Sequence, residues 1–208
     1  MFLQTQISEN CPLIYVNYLI YSQLEKSIIY VSFTRICVCQ NGKTDIFDPN
    51  YCLIFTKMHK ILFVCHGNIC RSPMAEFVMK KMVKDAGCEA QFEIASAATS
   101  TEEIGNPLYP PARRILAEHG IGCAGKTARQ MTRQDYDYFD QIIVMDRNNL
   151  RNLKRMFGED TQHKISLLMD YTHRPGDVAD PWYTGDFEAT WRDVWDGCEG
   201  LLKSISEH

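Results

Sequence analysis

The sequence predicts an α/β domain, a small doubly wound parallel sheet of four strands with helices on both faces, after an N-terminal extension. Three observations predict it. Four short apolar runs alternate with longer segments of helical periodicity, the pattern of βαβ units. The first run, Lys60–Cys65, is continuous rather than alternating, as in a strand buried on both faces. Of the 208 residues 45% are apolar, enough to fill one sizeable core.

The elements follow in order. Lys60–Cys65 is the first strand, by its unbroken apolar run. Ser72–Ala86 is a helix, with Ser72 as N-cap, Pro73 at the first helical position and Glu76 in the first turn facing the dipole. Its apolar stripe is Ala75, Val78, Met79, Met82 and Val83, and Gly87 stops it. Phe92–Ala97 is the second strand, followed by a polar loop over Thr99–Pro111. Ala112–His119 is a helix ended by Gly120; Gln141–Met145 is the third strand; Asn148–Phe157 is helical. Lys164–Leu168 is the last strand, and Phe187–Ile205 is a closing helix with Trp191, Val194, Cys198 and Leu201 on its apolar face. Such a sheet, flavodoxin-like or Rossmann-like, binds ligands at the carboxyl ends of its strands. Cys65 and Asp146 stand at such ends.

Composition narrows the function. A net charge of −4 argues against a nucleic-acid or membrane-surface partner, and no run reaches the roughly 18 apolar residues of a membrane span. Nine cysteines at irregular spacing do not make a secreted disulfide scaffold. Cys37 and Cys39 lack the spacing and the histidines of a zinc site. These features point to a reducing, cytoplasmic compartment. No feature fixes an oligomeric state. Residues 1–57 differ from the rest: rich in Ile, Tyr and Cys, sparse in charge, and without a basic start suited to a signal peptide. Met58 then opens the first strand. Residues 1–57 are read as an N-terminal extension, disordered or a wrongly translated leader, and 58–208 as the functional domain.

The chemistry concentrates in Val64-Cys65-His66-Gly67-Asn68-Ile69-Cys70-Arg71-Ser72-Pro73. A cysteine followed six places later by an arginine is weak alone. Here the turn follows a buried strand and opens a helix, and Gly67-Asn68 tolerates left-handed backbone. Such a loop turns its N–H groups inward as an anion nest with a helix dipole behind it. A thiol there ionises easily and attacks phosphorus. Arg71 offers a planar fork for two phosphate oxygens, and Ser72 can donate its hydroxyl to the sulfur. Asp180-Pro181-Trp182-Tyr183 supplies a candidate proton donor with an aromatic wall. On its residues alone Asp-Pro reads more readily as an ordinary turn.

Together these residues resemble the low-molecular-weight protein tyrosine phosphatases. The Cys65–Pro73 loop matches that family's phosphate loop and Asp180-Pro181-Trp182-Tyr183 its acid loop. Ala128-Arg129-Gln130, Met145-Asp146 and Asn149-Leu150 match internal landmarks. The match runs from Met58 to the C-terminus. The resemblance implies a phosphocysteine intermediate. Cys65 attacks, Asp180 protonates the tyrosine oxygen and then activates water, and Arg71 and the loop amides hold the phosphoryl group without metal or cofactor. It implies a substrate site of His66, Gly67, Asn68, Ile69, Cys70, Ser72, Trp182 and Tyr183. Its substrates would be phosphotyrosine proteins or peptides and small aryl phosphates. Cys70 resembles the family's second cysteine, which bridges reversibly to the nucleophile and protects it. Two departures stand out. Thr101-Glu102-Glu103 carries acids where several members place an aromatic residue, which disfavours acidic substrates. Lys126-Thr127 stands where some members have a histidine supporting the loop.

Rivals remain. Gly120–Thr127 has Walker A spacing and Ile142–Asp146 resembles a Walker B strand, but a Walker loop follows a strand and opens a helix, whereas Gly120 ends one. Arsenate reductases on this fold relay electrons through further cysteines, and none occurs from Thr127 to Gly197. Protein-arginine phosphatases tend to carry Thr where this chain has Ile69, and they lack the aromatic pair after Asp-Pro. A phosphate- or phosphopeptide-binding module could dispense with Cys65.

Overall fold

The computed structural model describes residues 58–206 and, of residues 1–57, only the backbone of five short strands. The chain divides into two units, Met1–Ile54 and Phe55–His208. In the first, β1 (Thr5–Ile7), β2 (Leu13–Val16) and β5 (Thr34–Cys37) pair antiparallel, as do β3 (Leu19–Tyr21) and β4 (Ile28–Tyr30). The reading of residues 1–57 as a dispensable leader otherwise lies outside the described residues.

The second unit is the α/β domain that the sequence predicts. Strands β6 (His59–Cys65), β7 (Phe92–Ala98), β8 (Gln141–Val144) and β9 (Ile165–Leu167) form a four-stranded sheet in the order β7-β6-β8-β9. All three pairings are parallel. The central strand β6 is buried on both faces: Ile61, Leu62, Phe63 and Val64 are each 0% exposed, which is why it reads as an unbroken apolar run. By the two-residue repeat of a strand, Leu62 and Val64 face one core with Ile142, Val144, Tyr136 and Leu153.

Helices α1 (Arg71–Asp85), α2 (Pro110–Glu118), α3 (Arg133–Tyr138), α4 (Arg147–Phe157), α5 (Pro181–Thr184) and α6 (Phe187–Ser206) cover the sheet. α1 packs on β6, β7 and α6, and α6 also lies against the 3-10 turn Leu168–Tyr171. That approach is close. A Cβ on Gly200 would lie 2.0 Å from the Tyr171 carbonyl oxygen.

Three details of α1 correct the sequence reading. Helix α1 begins at Arg71 with Cys70 at the N-cap and no capping side chain. Ser72 is therefore not the cap, because its hydroxyl is taken by Cys65 and Asn68, and Pro73 falls at the third helical position. Glu76 is not in the first turn; it is buried and ion-paired. Two short helices, α3 and α5, were not expected. The first is fixed by a capping box between Thr132 and Asp135, a Thr-x-x-Asp signal visible in the sequence. Among the described residues no helix is long and apolar enough to cross a membrane.

Candidate active site

Strand β6 delivers Cys65 to the carboxyl edge of the sheet, and the loop from Cys65 to Arg71 turns there into α1. Asn68 takes the left-handed conformation, φ 57°, which asparagine tolerates better than most residues. Neighbouring segments hold the loop's carbonyls. Thr99 N–H donates to the Cys65 oxygen (2.8 Å), Ser100 to His66 (3.0 Å) and Tyr109 to Ile69 (2.9 Å). Those bonds tie three of the loop's carbonyls to neighbouring segments. The Asn68 N–H lies 3.3 Å from Cys65 Sγ, and the Ser72 hydroxyl lies 3.1 Å from the same sulfur.

Arg71 is 3% exposed and carries a carboxylate on each terminal nitrogen. Nη1 donates to Asp146 Oδ2 and Nη2 to Asp180 Oδ2, both at 2.6 Å. Each aspartate is aimed by its own helix. Asp146 caps α4, with Oδ1 accepting from Asn149 N–H at 2.6 Å; Asp180 caps α5, with Oδ1 accepting from Trp182 N–H at 3.1 Å. One oxygen of each thus fixes the backbone while the other faces the guanidinium. Burial pulls the Arg71 pKa down, but the negative charges of Cys65, Asp180 and Asp146 more than restore it, so Arg71 stays a cation.

The second thiol of the loop differs. Burial first, then the charges of Cys65 and Asp180, push the Cys70 pKa up to about 12. Cys70 is therefore held as a neutral thiol and is a poor nucleophile. Both cysteines are free thiols in this structure.

Behind the loop runs a buried polar chain. Asn68 Nδ2 donates to Ser72 Oγ and to Ser96 Oγ, both at 2.8 Å, and Asn68 Oδ1 accepts from Arg129 N–H at 3.2 Å. Ser96 donates on to Glu76 Oε2 at 2.6 Å. That oxygen lies 2.9 Å from Lys126 Nζ, which also donates to the Ser96 carbonyl at 3.1 Å. Both hydrogens and the oxygen of the Asn68 amide are thereby used, which fixes its orientation. Lys126 is engaged in this chain, Gly120 (φ 71°) lies just past the end of α2, and the next helix opens only at Arg133. The Walker A reading of Gly120–Thr127 therefore fails on its placement.

Of the predicted site residues, Cys65, His66, Gly67, Ile69, Cys70, Arg71, Asp180, Trp182 and Tyr183 line one cleft of about 410 Å³. Asn68 and Ser72 lie behind it, in the polar chain. Trp182 and Tyr183 are 58% and 86% exposed and form one wall, and Tyr109 packs on Trp182 with ring centres 5.4 Å apart. Sequence reasoning assigned no site role to Asp146, Glu76 or Ser96. Only Asp146, at a strand end, carried a readable signal. Among the described residues, no group of three or more His, Cys, Asp or Glu is placed to hold a metal ion.

A thiol with two donors, a buried arginine and an acid on one rim make a phosphate-ester site. The family model for low molecular weight phosphotyrosine protein phosphatase matches residues 60–208. The chain belongs to that family. Among relatives of the phosphatase is the low molecular weight protein-tyrosine-phosphatase YfkJ of Bacillus subtilis, 42% identical over 72% of this chain and 97% of that protein. The low molecular weight phosphotyrosine protein phosphatase of Gallus gallus is 41% identical over 71% and 96%. The crystal structure of YfkJ superposes with a TM-score of 0.70, covering 73% of this chain and 96% of that one. The low molecular weight protein tyrosine phosphatase of Streptococcus pyogenes, 44% identical, gives 0.65 over 71% and 93%. The phosphatase is thus a phosphoric monoester hydrolase of the protein-tyrosine class.

Proposed function

We propose that Cys65, Arg71 and Asp180 perform the hydrolysis, on phosphotyrosine peptides and small aryl phosphates. The observation that carries this reading is that one guanidinium joins the acid loop to the cysteine loop, through Arg71 Nη2 and Asp180 Oδ2 at 2.6 Å.

A phosphoryl group entering the loop competes for Arg71. Asp180 is the partner it displaces, because the Asp180 side chain is 27% exposed and that of Asp146 only 12%. Released from the guanidinium, Asp180 is free to serve the leaving oxygen as general acid. The Cys65 thiolate attacks phosphorus as the P–O bond to the aryl group breaks. Asp180 gives its proton to the departing oxygen, and a phosphocysteine remains. Water then attacks phosphorus and loses a proton to the Asp180 carboxylate. The S–P bond breaks and the thiolate returns, stabilised by the Asn68 N–H and Ser72 hydroxyl. Arg71 and the loop amides carry the charge on the equatorial oxygens throughout. Trp182 and Tyr183 flank the aryl ring. Under a peroxide oxidant, Cys65 oxidised to its sulfenic acid would condense with the Cys70 thiol to a disulfide, with loss of water. The five free, buried cysteines among the described residues support a reducing compartment, and we assign the cytoplasm.

The test is Cys65→Ser. The variant is expected to bind vanadate, a phosphate-like oxyanion, and to lose hydrolysis of 4-nitrophenyl phosphate and of phosphotyrosine peptide alike. Hydrolysis retained in that variant overturns the nucleophile assignment.

A further inference from the structure

The cleft is lined by four carboxylates, and three have a basic side chain beside them. Asp146 and Asp180 hold Arg71, and Glu102 Oε2 lies 3.1 Å from His66 Nε2. Glu103 differs. Among the described residues its carboxylate makes no ion pair, and its partner is the neutral amide of Asn106, with Nδ2 donating to Oε2 at 2.7 Å. The side chain is nonetheless held in place. The Asn106 N–H donates to the Glu103 carbonyl at 2.9 Å, and the Asn106 carbonyl accepts from Ala128 N–H at 2.8 Å. Glu103 also packs on the cysteine loop itself: a Cβ added at Gly67 would lie 3.2 Å from Glu103 Cγ. Its charge reaches far enough into the loop to help push the Cys70 thiol up.

A fixed carboxylate without a cation, at the mouth of a phosphate loop, sets the sign of what lies beside the phosphate. We propose that Glu103 is a specificity-determining residue that receives the ammonium or guanidinium of a Lys or Arg next to the phosphotyrosine. The preferred substrates are then phosphotyrosine peptides with a basic neighbour. This rests on the phosphatase reading of the cleft and adds the class of peptide that it takes. Glu102 is the weaker candidate because His66 already pairs with it and its side chain is 70% exposed. The aromatic wall of Trp182 and Tyr183 carries no charge that would offset Glu103. Exposed ion pairs correspond to about a two- to fivefold effect on kcat/KM, and salt screens them.

The experiment uses the full chain and three phosphotyrosine peptides of one length, with Lys, Gln or Glu flanking the phosphotyrosine. Each kcat/KM is divided by the same protein's value on 4-nitrophenyl phosphate, which has no flanking residue. The unmodified enzyme is expected to prefer Lys over Gln by about two- to fivefold and Gln over Glu by a similar factor. Both preferences shrink at about 1 M salt. Glu103→Gln, close in shape, brings the Lys:Gln ratio near one, and Glu103→Lys inverts the order. A flat order in the unmodified enzyme overturns the proposal. So does an order that survives Glu103→Gln, or one abolished by Glu102→Gln instead. If the unmodified enzyme hydrolyses neither peptides nor 4-nitrophenyl phosphate, the reading of the cleft falls, and this proposal with it.

Discussion

Lys126→Met removes the cation at the far end of the polar chain behind the cysteine loop. Glu76 is buried and Lys126 nearly so, with side chains 6% and 13% exposed. Taking one partner from a buried pair costs about 3–5 kcal/mol, because a charge is left without compensation. Lys80 remains, 2.6 Å from Glu76 Oε1, but its side chain is 44% exposed and better hydrated. The low end therefore applies, about 3 kcal/mol, or a fall in Tm of about 6–12 °C for a domain of this size. The loss is pH-dependent. Burial pushes the Glu76 carboxyl up, and the Lys126 charge, with hydrogen bonds from Lys80 and Ser96, brings it below the usual carboxylate range. In the unmodified protein the folded-state pKa is thus depressed. Its stabilisation is present above the unfolded value of about 4.3 and lost as pH falls through the folded one. Without Lys126 one of the contributions that hold the carboxyl down is gone, and burial is opposed only by Lys80 and Ser96. The loss relative to the unmodified protein is then full at about pH 7, and it shrinks as pH falls through the unfolded value and then the depressed folded one. Urea unfolding followed by tryptophan fluorescence measures this, because Trp191 is buried in the core. The stability difference from the unmodified protein should shrink by more than half on acidification, and the further change Glu76→Gln should recover most of it at neutral pH. An equal loss at both pH values, or no recovery with Glu76→Gln, refutes the argument.

Two further outcomes follow from single contacts. Asp180→Ala is expected to slow hydrolysis of phenyl phosphate about 100-fold or more and of 4-nitrophenyl phosphate much less, because the better leaving group needs little protonation; equal slowing would argue against an acid role. Gly200→Ala places a methyl group 2.0 Å from the Tyr171 carbonyl oxygen, backbone that cannot step aside alone. Overpacking of this kind costs about 3 kcal/mol, read as a lower urea midpoint, and an unchanged midpoint would mean that α6 slides freely on the Leu168–Tyr171 turn.

The fold was legible where burial and periodicity coincide. The strands β6 and β8 are buried on both faces, so their apolar runs stand out within the sequence. Helix α6 was legible because its one apolar face recurs over 20 residues. The six-residue α3 and four-residue α5 are too short for a period to appear, and only their capping residues betray them. The ends of α1 were misread for a different reason. Ser72 has the chemistry of an N-cap, but a cap residue satisfies its own helix, and here the hydroxyl is drawn to the sulfur of Cys65 instead.

The candidate site divides the same way, by distance along the chain. Cys65, Asn68, Arg71 and Ser72 lie in one short loop, so their joint chemistry can be read as a motif. Their supports cannot. Glu76, Ser96 and Lys126 come from a helix, a strand and a loop, and each alone looks like an ordinary polar residue. Glu76 in particular reads as a dipole partner on an exposed first turn, although folding buries it against Lys126. What joins them is a need that exists only after folding. Asn68 must sit in a left-handed backbone conformation to bring its N–H to the sulfur, and a side-chain amide with three bonds is what holds it there. Two of those bonds end on serine hydroxyls: Ser96 gives its own hydrogen to Glu76, and Ser72 lies between the Cys65 sulfur and the Ala97 carbonyl. The carboxylate can remain ionised in that setting only beside a cation. The reactive end of the chain is therefore written locally, and its anchor, Lys126, is chosen by charge balance in the core.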